Sequence, residues 1–259
     1  MEPLNRSRLI RFVLSRKQKT GGFSFSRTTP PTLEDSYYAL RTFEEIGVSY
    51  NNKKTARYIE NLGLGGIFSI RNTYRFLYLC DRLGLFDCLA MWKEKLKSQT
   101  YRKDSLEDIY YLMLSREILK EKTIFDDKLR NRVASSKIKI EKLRYIPELS
   151  RQIILMKKTK IPFNEVMYAE WIQKAQMPDG GYGFLQHSTS FMETTYHALK
   201  ALEILNATPL EIEKCKEFIL MCRGNEGFGR RMISLPTLEA TYYAISNLDI
   251  IRQMRKLRR

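Results

Sequence analysis

Apolar and aromatic positions recur along this chain in a phrase that repeats. It reads TLEDSYYAL at 32–40, SLEDIYYLM at 105–113, METTYHAL at 192–199 and TLEATYYAI at 237–245. Each copy sets aromatic and aliphatic residues at helical spacing behind an acidic residue. Glycine–aromatic loops precede three copies: GGFSF at 21–25, GGYGF at 180–184 and EGFG at 226–229. Self-similarity at this period predicts stacked supersecondary units, each too small to bury its own apolar face.

The start of each phrase carries helix-entry chemistry. Pro31 and Pro236 suit the last loop position or first turn. Thr32, Ser105, Ser190 and Thr237 are the expected N-caps, and Ser190-Phe-Met-Glu193 has the spacing of a capping box. These helices are expected to reach Glu44–Ile46, Leu119, Leu205 and about Ile250, with Gly47 in the left-handed position after the first. A second helix type ends in front of the glycine loops, at Phe12-Val-Leu-Ser, Tyr58-Ile-Glu-Asn, Trp171-Ile-Gln-Lys and Phe218-Ile-Leu-Met.

Two further copies are worn. Gly65-Gly-Ile-Phe leads into Asn72-Thr-Tyr-Arg-Phe with Arg71 at the glutamate position, and Pro147-Glu148-Leu-Ser leads into Arg151, where the tyrosine is expected. The acidic or equivalent positions are then 34, 71, 107, 148, 193 and 239, which makes six helical hairpins. The tyrosine-rich helices are apolar on more than one face, as an inner layer requires, and the preceding helices carry more charge. The expected fold is all-α: a closed α/α barrel of two rings over residues 1–251, followed by a basic tail, 252–259.

Composition adds little about fold and something about partners. The 259 residues carry 45 lysines and arginines against 29 acidic residues, a net charge of +16. Such a surplus fits an anionic partner (nucleic acid, an acidic membrane surface, a diphosphate or an acidic protein) or a lysine-rich solvated surface. Cys80, Cys88, Cys215 and Cys222 form no CxxC pair and read as reduced thiols packed in helices, hence an expected cytoplasmic protein. No apolar run approaches a membrane span, and the N-terminus has no signal-peptide pattern.

The phrases GGFSFSRTTPPTLEDSYYALRTFEEIG, GGYGFLQHSTSFMETTYHALKALEILN and EGFGRRMISLPTLEATYYAISNLDI resemble the repeats of protein prenyltransferase β-subunits and squalene-cyclase-type terpenoid cyclases. The resemblance is clear over residues 8–47 and 165–250 and weaker between. It implies an α6–α6 toroid whose central, aromatic-lined cavity holds an isoprenoid chain, and subunits that work with a helical-repeat partner. The family's zinc-binding D-x-C-Y motif falls on Glu193-Thr-Thr195-Tyr196 and on Glu239-Ala-Thr241-Tyr242. The carboxylate survives as glutamate, threonine replaces the thiolate, and no histidine stands at the third ligand position. Zinc is therefore not expected. A divalent metal accompanying a diphosphate ligand stays open. The cyclases' D-x-D-D acid has no counterpart here.

On this resemblance Glu193 and Glu239 are the candidate catalytic carboxylates. Tyr196 and Tyr242 match the family's tyrosine, and His187 stands at one of its basic diphosphate positions. Arg230 and Arg231 in the last glycine loop are candidate replacements for missing cations. Glu34, Tyr37, Arg71, Tyr74, Tyr110 and Arg151 complete the expected binding set if the six helix starts share one rim. The plainer reading of the glutamates is first-turn stabilisation by free N–H groups and the helix dipole. Two functions follow. One is a prenyltransferase-like toroid binding an isoprenoid or its diphosphate, with any transferase or cyclase activity independent of zinc. The other is a non-catalytic scaffold whose basic surface binds protein, RNA or acidic lipid.

Overall fold

The computed structural model describes residues 5–64, 69–98, 105–121, 127–135, 145–185 and 188–257. They form twelve helices: α1 (Arg6–Ser15), α2 (Leu33–Glu45), α3 (Lys53–Leu64), α4 (Ile70–Leu83), α5 (Phe86–Ser98), α6 (Leu106–Ile118), α7 (Asp127–Ser135), α8 (Ile146–Thr159), α9 (Glu165–Lys174), α10 (Met192–Ile204), α11 (Ile212–Met221) and α12 (Leu238–Leu257). Among the described residues extended backbone pairs only as isolated bridges, all in the glycine loops.

The chain divides into two compact units, Met1–Leu129 and Arg130–Arg259. In the first, α2, α4 and α6 pack side by side, with α1 against α2 and both α3 and α5 against α4. In the second, α8, α10 and α12 pack side by side, with α9 against α10 and α11 against α12. The two helix types thus differ in burial, as their residue patterns predict. Residues Thr73 to Cys80 of α4 and Leu149 to Met156 of α8 are buried without a break. By contrast α1 buries only Leu9, Phe12 and Val13, and α9 only Tyr168 and Ile172. A helix buried on every side needs partners all round, which is why these helices supply the packed layer.

Each glycine loop is locked to the helix that follows it. Phe23, Tyr182 and Phe228 are fully buried. Their backbone N–H groups donate to Ser36 Oγ (3.1 Å), Thr195 Oγ1 (3.1 Å) and Thr241 Oγ1 (3.0 Å). These hydroxyls sit at the fourth position of α2, α10 and α12. Ser36 and Thr195 each donate in turn to the carbonyl four residues back, at 2.7 and 2.8 Å. A buried N–H without an acceptor is costly, so one side chain fixes both the loop and the helix start. Glycine is needed just before the aromatic. Gly21 (φ 107°) and Gly180 (φ 88°) lie in left-handed backbone, and a Cβ at either would stand 2.3 Å from the carbonyl oxygen of Lys54 or Lys214.

The caps follow the expected pattern with one exception. Thr32, Ser105 and Thr237 accept from the N–H groups of Asp35, Asp108 and Ala240, and Gly47 is left-handed at φ 67°. Ser190 is not an N-cap. That position belongs to Phe191, which gives no side-chain bond, and Ser190 Oγ donates instead to Asp179 at 2.7 Å. Pairing of Gly183 with Ser190 carries the extended chain one residue further before the helix begins. Helix α12 also outruns its expected end near Ile250. Ile250, Ile251 and Met254 continue the buried stripe, and Arg255 pairs with Glu213 of α11, so the basic segment is helical through Leu257. The glycine pair Gly65–Gly66 lies outside the described residues. All four cysteines are free thiols; burial pushes the Cys222 thiol up to about 12 and Cys215 higher still, so both are core rather than reactive groups.

The lock gives a sharp contrast between neighbours. Thr195→Val should cost about 1–3 kcal/mol in urea unfolding, because it strands the Tyr182 N–H. Thr194 is equally buried, but its hydroxyl has no partner among the described residues. Thr194→Val should therefore be neutral or stabilising in the same measurement.

Candidate functional site

Counting from the first helical residue, Glu34, Arg71, Glu107, Glu193 and Glu239 all stand at the second position of their helices. Their alignment across the repeats is therefore physical. Helix α8 starts one residue earlier relative to its glutamate, at Ile146, with Pro147 in its first turn. Its pattern still matches the other helices: Glu148 is half-buried, Ser150 is fully buried like Ser36, Thr73, Thr195 and Thr241, and Arg151 follows it where Tyr37, Tyr74, Tyr196 and Tyr242 stand. Arg151 and Arg75, the latter one place further along its helix, are each nearly fully buried.

In the first unit the ends of α2, α4 and α6 bring acidic, basic and aromatic groups together. Arg75 pairs with Glu34 and reaches Asn72 Oδ1 at 3.1 Å; its guanidinium lies over the rings of Tyr37 and Tyr38. Arg71 pairs with Glu107 at 2.6 Å and lies over Tyr111. Burial disfavours the charge of both arginines. Tyr111 and Glu107 for Arg71, and Tyr38 and Glu34 for Arg75, reverse that, so each guanidinium is held above its ordinary range. Rings form a continuous series: Tyr37 contacts Tyr38, Tyr74 and Tyr78, Tyr74 contacts Tyr111, and Tyr111 contacts Tyr110. Further along α2 and α4, Glu44 accepts from Tyr78 at 2.6 Å and pairs with Arg82 at 2.7 Å. Burial first, and then the bond to Glu44, raises the Tyr78 phenol.

In the second unit α10 and α12 make a smaller cluster. Tyr196 contacts His197, Tyr242 and Tyr243. Asn247 Nδ2 donates to the Met192 carbonyl at 3.3 Å and ties the two helices. Glu193 lies 4.0 Å from Arg230, the limit of an ion pair, and the Arg230 guanidinium covers Phe191 at 4.7 Å and Phe184 at 5.7 Å. Glu239 is half-buried at the start of α12, and Arg231 is exposed. Arg151 is buried on α8. His187 lies outside the described residues.

The resemblance puts Thr195 where a zinc thiolate would stand; its hydroxyl is engaged, accepting from Tyr182 N–H and donating to Phe191 O. Thr241 accepts from Phe228 N–H in the same way. Neither side chain supplies a thiolate, so these residues do not fit a zinc ion of the prenyltransferase kind. Among the described residues no group of three or more His, Cys, Asp or Glu is placed to hold a metal.

The family model for the prenyltransferase alpha-alpha toroid domain matches residues 1–78 and 152–259, and the chain belongs to this family. Its fold class is accordingly the all-α, α/α toroid. The unmatched stretch covers the worn middle of the chain. No curated protein matches the sequence. Among solved structures, Candida albicans protein geranylgeranyltransferase-I complexed with GGPP aligns at 11% identity and a TM-score of 0.47, over 96% of this chain and 92% of that one. No helix among the described residues is long and apolar enough to cross a membrane.

Sequence reasoning missed Arg75 and the loop-locking hydroxyls. Both have a visible signal. A Ser or Thr directly precedes the aromatic in SYY, TYR, TYH and TYY, and Arg75 replaces the second aromatic of that pair. The two first-unit arginines should differ in cost. Arg75→Met removes a buried cation with its packing and charged hydrogen bond, about 1–3 kcal/mol by urea unfolding. Arg71→Met breaks a half-exposed pair and should cost less than about 1 kcal/mol.

Proposed function

We propose that this protein binds an isoprenoid or a similar apolar chain along its inner helices, with a diphosphate head meeting the cations at their N-terminal ends. The carrying observation is the continuous tyrosine series on α2, α4 and α6, which ends against Arg71 and Arg75. Phenol rings offer a large apolar face with a polar edge, suited to a polyene chain, and guanidinium groups suit phosphate oxygens. Membership in the prenyltransferase toroid family supports the reading.

Catalysis, where it occurs, falls to Glu193 and Glu239 as proton-transfer groups, with Arg230 beside Glu193. A divalent metal would enter with the diphosphate. A helical-repeat partner is a further expectation of the family resemblance. The scaffold reading also has a specific support: Arg71, Arg75 and Arg230 each already face a glutamate, and the tyrosines already pack on one another.

Thermal unfolding with geranylgeranyl diphosphate, farnesyl diphosphate or geranylgeraniol, each with and without magnesium, separates the two. Binding at about one hundred times Kd stabilises by ~2.7 kcal/mol, a rise of several degrees in Tm. The diphosphates should stabilise more than the alcohol, and Arg71→Met should remove the difference while keeping the fold. Indifference to all three compounds would leave the scaffold.

A further inference from the structure

The loop joining α11 to α12 holds an apolar tip out into solvent. Residues 229–236 leave and return at a bridge between Gly229 and Pro236. Its base is pinned from three sides: Thr237 N–H donates to Phe228 O (3.1 Å), Ser234 N–H to Arg231 O (3.2 Å), and Met192 N–H, at the start of α10, to Arg230 O (2.8 Å). A Cβ at Gly229 would stand 2.4 Å from the Ser234 carbonyl oxygen, so the turn is tight as well as anchored.

The side chains on this tip are those that water least favours. Ile233 is wholly exposed at 106%, Leu235 at 78% and Met232 at 43%. Ile233 also adopts φ 62°, a left-handed conformation that disfavours a β-branched residue. A turn that only reversed the chain would carry Gly or Asn there. The backbone is therefore held in an unfavourable shape with isoleucine at its apex. Two guanidiniums flank the tip. Arg230 lies over Phe184 and Phe191 and 4.0 Å from Glu193. Arg231 is exposed and makes no ion pair among the described residues.

We propose that this loop docks the protein on an acidic bilayer surface, with Met232, Ile233 and Leu235 entering the headgroup region while Arg231 meets lipid phosphates and carboxylates. Apolar insertion and cation attraction are each weak alone and suffice together. The chain's net charge of +16 acts in the same direction. Branched aliphatic side chains do not stack on bases, so the same surface is poorly made for RNA. The proposal stands whether or not the inner helices bind an isoprenoid.

Flotation of the full chain with phosphatidylcholine vesicles, with and without phosphatidylserine, tests it. The protein should float with the serine-containing vesicles only, and added salt should release it. Ile233→Asn with Leu235→Asn should lower the bound fraction about tenfold, and Arg231→Glu should lower it as well. Asparagine tolerates the left-handed backbone, so the double variant should melt no lower than the parent, which separates lost docking from lost fold. Three results would overturn the proposal: a parent protein that stays with the lipid-free fraction, a double variant that floats like the parent, or a dimer in gel filtration that the double variant dissolves, which would assign the tip to a second copy of the chain.

Discussion

Each of three repeats turns on one hydroxyl. A glycine loop that buries its aromatic side chain also buries that residue's N–H, and the N–H must be answered. Ser36, Thr195 and Thr241 answer it from the fourth position of the following helix. The constraint runs in both directions. It holds Phe23, Tyr182 and Phe228 in the core, and it sets where the helix begins relative to the loop. With the helix start set, the second position carries the acidic groups and the fifth and sixth positions carry the aromatic series.

The inner helices carry a second constraint. Helices α4 and α8 are buried over most of their surface, so a charge on them needs a counter-charge close by. Arg75 meets Glu34 and two tyrosine faces, and Arg71 meets Glu107 and one. These contacts explain how cations tolerate an aromatic layer. Under the proposed function, a diphosphate arriving at Arg71 would compete with Glu107. The half-exposed Arg71 pair is cheap to open, whereas the buried Arg75 guanidinium is not.

Much of this was legible in the order of residues, and the failures have local causes. The repeats, the layer each helix joins, the caps at Thr32, Ser105 and Thr237 and the left-handed Gly47 all rest on short-range chemistry. Ser190 failed as a cap because a bridge between extended segments, not the capping-box spacing, set the start of α10. Helix α12 ran past its expected end because its last turns are held by α11 and by a buried Ile–Ile–Met stripe.

From its sequence alone this chain is determined to be a set of helical hairpins with a tyrosine-rich helix in each clear repeat, since period, caps and burial pattern depend on neighbours a few residues apart. Only the tertiary structure decided which charges meet. Glu34 and Arg75 are 41 residues apart, and no local rule couples them. The same holds for Arg230, whose carbonyl fixes the start of a helix much earlier in the chain while its side chain covers two phenylalanines. Pairing across repeats is a property of packed layers. It exists once the helices are side by side, and no single repeat contains it.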